Sequence, residues 1–137
     1  MSTFRETITL TNAVDMGDAD RGLMPESEVR SVTIAACVDT GAWNLIINED
    51  IRAKLGLKLV SKRVSTLADG SSAEYALTEP VHFRWKDRDF TLTAQVIPTA
   101  DEVLFGALPM ESLDLMADPV AECLVGRHGD KPLHRIK

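Results

Sequence analysis

One acidic residue stands alone in the most apolar turn of this 137-residue chain. The segment from Ala35 to Ile47, AACVDTGAWNLII, carries a single charge, that of Asp39. Apolar residues on both sides predict a buried strand that enters a tight turn and a second strand that leaves it. Burial of an unpaired carboxylate carries a large desolvation cost. A carboxylate in this position therefore suggests chemistry, with an ordinary Asp-Gly type of turn as the alternative.

Two further features follow the Asp39-Thr40-Gly41 turn along the chain. Asp69-Gly70 lies between two strand-like runs, 30 residues after Asp39, and is a strong signal for a hairpin tip. The apolar run Val103–Phe105 ends at Gly106, 67 residues after Asp39. Aspartate turn, hairpin tip and apolar-apolar-glycine strand thus occur in a fixed order within one β-rich chain.

In this order the features resemble the retropepsin-like, single-lobe (clan AA) family of aspartic proteases. VDTGA is the signature of that family, and VLFG resembles the strand that threads its catalytic loop. The stretch LFGALPMESLDLMADP resembles the bacterial and archaeal branch. The resemblance runs from the first strand to Val125. It implies a mainly β fold, a small closed β-barrel of the acid-protease type with one or two short helices and one lobe per chain.

The resemblance also implies roles for individual residues. Asp39 would be the catalytic acid and base, Thr40 would hydrogen-bond across a two-fold axis, and Gly41 would offer its carbonyl to the substrate main chain. The residues that would contact substrate are Ala42, Trp43, Ala68, Asp69, Gly70 and Ser71. The residues that would support the catalytic turn from below are Leu104, Phe105 and Gly106.

The chemistry of this family needs two aspartates, and the chain carries one such motif. Asp69-Gly70-Ser71 has the wrong order, and Asp118-Pro119 offers no equivalent turn. Two carboxylates a few ångströms apart cannot both ionise, so they share a proton and act as acid and base. The resemblance therefore implies a homodimer in which a second copy supplies the second aspartate. The substrate would be a peptide or protein, and no cofactor would be needed.

Two residues beside the motif depart from the retroviral enzymes. A serine in place of Ala42 could donate a further hydrogen bond to the carboxylates and stabilise their ionised form, so alanine predicts activity at milder acidity. Trp43 occupies a position where retroviral enzymes have an aspartate that contacts the substrate backbone. It would form an apolar cleft wall or else a buried core aromatic. The tip sequence Ala-Asp-Gly-Ser would place a negative charge over the cleft.

Composition and motif content narrow the classes of function that remain. The net charge of −6 argues against a nucleic-acid partner, and no apolar run approaches the ~20 residues that cross a bilayer. The three histidines have no metal-ligand spacing with the cysteines, and no Gly-x-Ser-x-Gly elbow is present. Cys37 and Cys123 lie in strand-like runs and are predicted to be reduced core residues of a cytoplasmic protein.

Local patterns predict the elements that position these residues. Strands are expected over Thr3–Ala13, which could form an edge of the sheet, and over Glu28–Val38, with a mobile loop from Asp15 to Glu26 between them. Asn48 and Gly56 should begin and end a helix. The next predicted elements are a long hairpin over Lys62–Trp85 and a turn at Asp87. The segment Glu102–Gly126 should contain a strand, a helical turn and a final strand. We expect residues 1–126 to form one domain, followed by a basic tail over 127–137.

Two other functions remain open at this point. A non-catalytic peptide-binding or interaction module could use the same acid-protease fold and the same cleft, since a fold does not guarantee its function. A small monomeric β protein with a coincidental Asp39-Thr40-Gly41 motif would have no shared cleft.

Overall fold

Nine strands and three short helices make up the part of the chain that the computed structural model describes, residues 3–66 and 69–130. The strands are β1 (Phe4–Asn12), β2 (Ser31–Val38), β3 (Leu45–Ile47), β4 (Leu59–Thr66), β5 (Ser72–Trp85), β6 (Arg88–Val96), β7 (Leu104–Phe105), β8 (Leu115–Asp118) and β9 (Cys123–Gly126). The helices are α1 (Ala13–Asp20), α2 (Glu49–Leu55) and α3 (Ala107–Ser112), with a 3₁₀ turn over Glu26–Glu28.

Seven of these strands form one ring-like sheet in the order β1-β2-β7-β3-β6-β5-β4. An additional pairing between β1 and β5 closes the ring and leaves β4 outside it. β8 and β9 form a separate antiparallel pair. The mainly β class predicted from the sequence is confirmed.

The edge position predicted for β1 agrees with its first half, which among the described residues pairs with β2 alone, and is wrong for its last residues, which also pair with β5. Its alternating pattern buries Phe4, Ile8 and Leu10 in the core. It pairs with β2 along nearly its whole length, and its last residues, Thr9–Asn12, pair with β5. The closing partner is more than 60 residues away, and no local pattern indicates it.

The first half of the loop predicted over Asp15–Glu26 is instead part of the helix α1, which ends at Asp20, and a turn and loop follow as predicted. The Asn12 side chain accepts a hydrogen bond from the backbone N–H of Asp15 at 3.0 Å and caps the helix. The buried Asp15 carboxylate accepts bonds from the backbone N–H and guanidinium of Arg30, at 2.9–3.1 Å. These bonds hold the pKa of Asp15 below its ordinary value. A long-range ion pair thus fixes a segment whose own residues have little helical preference.

The other local predictions agree with the structure. The Asn48 side chain accepts from the backbone N–H of Ile51 at 3.0 Å, and Gly56 ends α2 in the left-handed conformation, with φ 63°. β4 and β5 form the long hairpin, with Asp69 and Gly70 between them. The final strand predicted after α3 is a two-stranded hairpin, β8–β9.

One core fills the ring and reaches the functional region. Phe83 of β5 and Phe105 of β7 are fully buried and meet edge to face, with ring centroids 5.8 Å apart. Cys37 is buried and Cys123 half-buried, both as free thiols. Buried Arg88 donates to the carbonyls of Leu113, Asp114 and Gly129 and so anchors the segment after α3 to β6.

Candidate active site

The Asp39-Thr40-Gly41 turn lies at the end of β2, where the chain leaves the core. The backbone N–H of Gly41 donates to Asp39 Oδ1 at 2.9 Å, and that of Ala42 donates to the Asp39 carbonyl at 3.1 Å. Asp39 is half-buried, whereas Thr40 and Gly41 are exposed. The aspartate predicted to be buried therefore reaches the surface of the single chain, with its carboxylate oriented by its own turn.

β7 runs between the two strands that flank this turn. It pairs in parallel with β2, Cys37 opposite Leu104 and Val38 opposite Phe105. It pairs antiparallel with β3 on its other side. The backbone N–H of Asp39 donates to the Phe105 carbonyl at 3.1 Å. Leu104 and Phe105 thus hold both ends of the turn from within the sheet.

Gly106 continues this support directly under the turn. A Cβ at Gly106 would lie 2.5 Å from the carbonyl oxygens of both Ala42 and Asn44. The next two backbone N–H groups, of Ala107 and Leu108, donate to the carbonyls of Ala42 and Trp43 at 2.9 and 2.7 Å. Only glycine permits this approach, which lets the first turn of α3 bind the segment after the Asp39 turn.

Trp43 is exposed, with 64% of its surface accessible in the single chain. A buried core position for this side chain, one of the two predicted environments, is therefore excluded. Its neighbour Asn44 is bonded on both sides, donating to the Thr93 carbonyl at 3.2 Å and accepting from the Leu45 N–H at 2.7 Å. The indole thus projects from a well-anchored backbone beside the aspartate.

The hairpin tip has a different construction. The Asp69 carboxylate accepts bonds from the backbone N–H and the hydroxyl of Ser71, at 2.9 and 2.5 Å. These bonds hold the pKa of Asp69 below its ordinary value. Gly70 has φ +86°, with nothing within 4 Å of a Cβ built there. The tip residues bond to one another, and Ala68 lies outside the described residues.

One structural contribution to the site has no signal in the sequence. Arg5 of β1 makes a two-pronged ion pair with Glu102, Nε to Oε1 at 2.9 Å and Nη2 to Oε2 at 2.8 Å. Glu102 immediately precedes Val103, whose carbonyl accepts from the Cys37 N–H at 2.8 Å. The pair joins β1 to the start of the segment that supports the turn, across 97 positions of sequence.

Two kinds of feature are absent from the described parts of the chain, 3–66 and 69–130. No group of three or more histidine, cysteine, aspartate or glutamate side chains there is placed to hold a metal ion. None of the helices in these residues is long and apolar enough to cross a membrane. The aspartate turn with its supporting strand is the feature of this region with a chemical rationale.

Comparisons with known proteins agree with this geometry. A family model described as aspartyl protease matches residues 26–112, from the 3₁₀ turn to α3. The fold is similar to that of the retroviral protease-like domain of Ddi1 from Leishmania major, with TM-score 0.58 and 16% identity over 96% of this chain and 94% of that one. A retropepsin-like aspartic protease from Rickettsia conorii matches at TM-score 0.41 and 19% identity, over 85% and 88% of the two chains. No curated protein matches the sequence significantly.

Proposed function

The chain belongs to the aspartyl protease family, and we propose that it is a homodimeric endopeptidase whose two copies of Asp39 activate a water molecule. The observation that carries this proposal is the half-buried Asp39 carboxylate in a turn supported by β7 and Gly106. Catalytic groups work best on such rigid elements, because their geometry must hold within about 0.5 Å.

The second carboxylate would come from another copy of the chain. Asp69, which is directly followed by Gly70, lies at the hairpin tip, where its carboxylate accepts hydrogen bonds from Ser71. Thr40 and Gly41 are exposed in the single chain and would be covered by the same residues of the partner. A two-fold axis beside Asp39 brings the two turns together, with Thr40 bonding across it.

The reaction follows from a proton shared between the two carboxylates, as in known aspartic proteases. The ionised carboxylate takes a proton from water as the water oxygen attacks the carbonyl carbon of the peptide. The protonated carboxylate gives its proton to the carbonyl oxygen, which yields a tetrahedral diol. Collapse of the diol breaks the C–N bond as the aspartate that took the water proton gives it to the nitrogen and the other aspartate takes a proton from a diol hydroxyl, which leaves the carboxylic acid product and returns both aspartates to their starting state.

The remaining site residues would bind the peptide. The Gly41 carbonyl would accept a bond from the substrate main chain, and Ala42 would line the floor of the cleft. The exposed Trp43 indole offers a flat apolar surface to a substrate side chain. The β4–β5 hairpin would close over the peptide with Asp69, Gly70 and Ser71 at its tip. We also propose a cytoplasmic setting, because both cysteines are free thiols.

The test is cleavage of an unstructured protein substrate by wild type and by Asp39→Asn. The variant should lose cleavage by at least ~10³-fold while it keeps the wild-type melting temperature and dimer affinity. Asp87→Asn, in the exposed β5–β6 turn, serves as the matched control and should cleave normally. Cleavage retained in Asp39→Asn would contradict the mechanism. Peptide binding without turnover by wild type, surviving in Asp39→Asn, would instead assign a binding module.

A further inference from the structure

A groove of about 220 Å³ lies directly beside the catalytic turn, between α3 and β8. Thr40 forms one wall, and the apolar part of the lining comes from Ala107, Met110, Leu115, Met116 and Ala117. Because Thr40 follows Asp39 in the chain, any second copy that brings its own Asp39 to the first must also approach this groove. An apolar surface so close to the required axis fits a contact between copies.

Three successive residues of β8, Leu115, Met116 and Ala117, line the groove. One edge of β8 pairs with β9. Met116 is 45% exposed, a large apolar side chain at an edge that has no strand partner within residues 3–66 and 69–130. Such an edge is normally covered in a native assembly.

Two opposite charges share this groove. Glu111 of α3 and Arg127, which follows β9, both line it. Among the residues that the structure describes, neither has an ion-pair partner within 4.0 Å, and they do not pair with each other. The Arg127 backbone is anchored, since its N–H donates to the Asp114 carbonyl at 2.8 Å. The groove thus presents one negative and one positive side chain beside its apolar lining.

We propose that this groove is the self-association surface of the protein, with Glu111 of one copy paired with the partner's Arg127 and the reverse pair on the other side of the axis. The occupant is a second copy of this chain, whose Met116 packs on the apolar lining. A two-fold interface uses the same patch on both copies, so a patch that carries both charge signs complements itself. The inference rests on the proposed function, which requires the two-fold axis beside Asp39.

Charge reversal tests the pairing, because it makes a prediction specific to a two-fold contact. Glu111→Arg alone places two arginines opposite each other twice per dimer, and Arg127→Glu places two glutamates. Each single variant should raise the dimer dissociation constant by about tenfold or more, since like charges brought together suppress association. An equimolar mixture of the two variants restores an opposite-charge pair on both sides of the axis and should form a heterodimer of near wild-type affinity.

The measurement is sedimentation velocity in the Asp39→Asn background, so that it does not depend on cleavage. Both residues face solvent in the single chain, and the melting temperature of each variant serves as the check that it folds. The matched control is Glu49→Arg with Arg52→Glu on α2, a pair joined within one chain, which should leave dimer affinity unchanged. Failure of the mixture to recover affinity, or wild-type affinity in each single variant, would overturn the proposal.

Cleavage by the same variants with Asp39 intact separates this inference from the proposed function. Recovery of dimer affinity in the mixture without any cleavage by wild type would keep the interface and reject the peptidase. Cleavage by wild type that neither charge reversal alters would keep the peptidase and reject this interface.

Discussion

The catalytic turn and the hairpin tip differ in how the chain holds them. The turn is bonded from three directions, by its own N–H groups, by β7 and by the start of α3. The tip of the β4–β5 hairpin is bonded mainly to itself, through Asp69 and Ser71, and β4 has a strand partner on one side. The proposed hydrolysis, with the hairpin closing over a bound peptide, would need this combination of a rigidly held turn and a loosely held tip.

The largest expected effect comes from a methyl group added at Gly106, beneath the Asp39 turn. Gly106→Ala places a Cβ 2.5 Å from two backbone carbonyl oxygens, which cannot move without displacing the catalytic turn. We expect a loss of about 3 kcal/mol or more in unfolding free energy, measured by urea denaturation, and loss of cleavage. The same substitution at Gly70 of the tip meets nothing within 4 Å and should cost only about 1–2 kcal/mol for its left-handed backbone. Equal losses of unfolding free energy at Gly106 and Gly70 would contradict the difference between a rigidly held Asp39 turn and a loosely held hairpin tip.

The carboxylates of Asp15 and Asp69 provide the second comparison, because their contributions to the pH dependence of stability should differ. Asp15 is buried on Arg30 and its pKa is lowered, so its contribution is present above the unfolded value of ~3.9 and is lost as pH falls through the folded value. Asp15→Asn should therefore cost about 1–3 kcal/mol at pH 7, with the difference from wild type shrinking below about pH 4.

Asp69→Asn is the matched substitution for this pH series. Its carboxylate is exposed at the tip, so global unfolding should be nearly unchanged across the same pH range. A difference for Asp15→Asn that stayed constant down to pH 2 would contradict the role of its ionised form.

The smallest expected effect concerns the pH dependence of cleavage, which depends on the surroundings of Asp39. Ala42→Ser adds a hydroxyl beside the Asp39 turn, where a further donor would stabilise the ionised carboxylates. The acid limb of the pH–rate profile should move to lower pH, with stability preserved. Ala53→Ser, on the exposed face of α2, controls for the substitution itself. An unmoved profile would show that the residue after the glycine does not set the working pH of this enzyme.

Local signals predicted the parts of the fold that local bonds determine. Asn48 and Gly56 mark α2, and Asp69-Gly70 marks the hairpin, because the cap and the turn need those side chains. The helix α1 was missed because its stability comes from Asp15 and Arg30, 15 positions apart. The β1–β5 closure and the Arg5–Glu102 pair are longer-range still, and no periodicity in the sequence reports them.

The candidate site likewise has features that the sequence predicted and features that only the tertiary structure shows. Gly106 was identified through the family resemblance. The physical reason for a glycine there is visible only in the structure, where a Cβ would lie 2.5 Å from the carbonyl oxygens of Ala42 and Asn44. The environment of Trp43 stayed open in the sequence, because an aromatic after a buried turn is equally typical of a core and of a cleft. Its exposure follows from where β7 and α3 bind the backbone on either side of it, which is a tertiary property.

The distance between the two Asp39 carboxylates in a crystal of the dimer tests the central claim most directly. The account predicts oxygen atoms within hydrogen-bonding range of each other, about 2.5–3.0 Å, on a two-fold axis that also passes beside Thr40. Dimers with the two aspartates on distant faces would contradict a shared proton and, with it, hydrolysis by an Asp39 dyad.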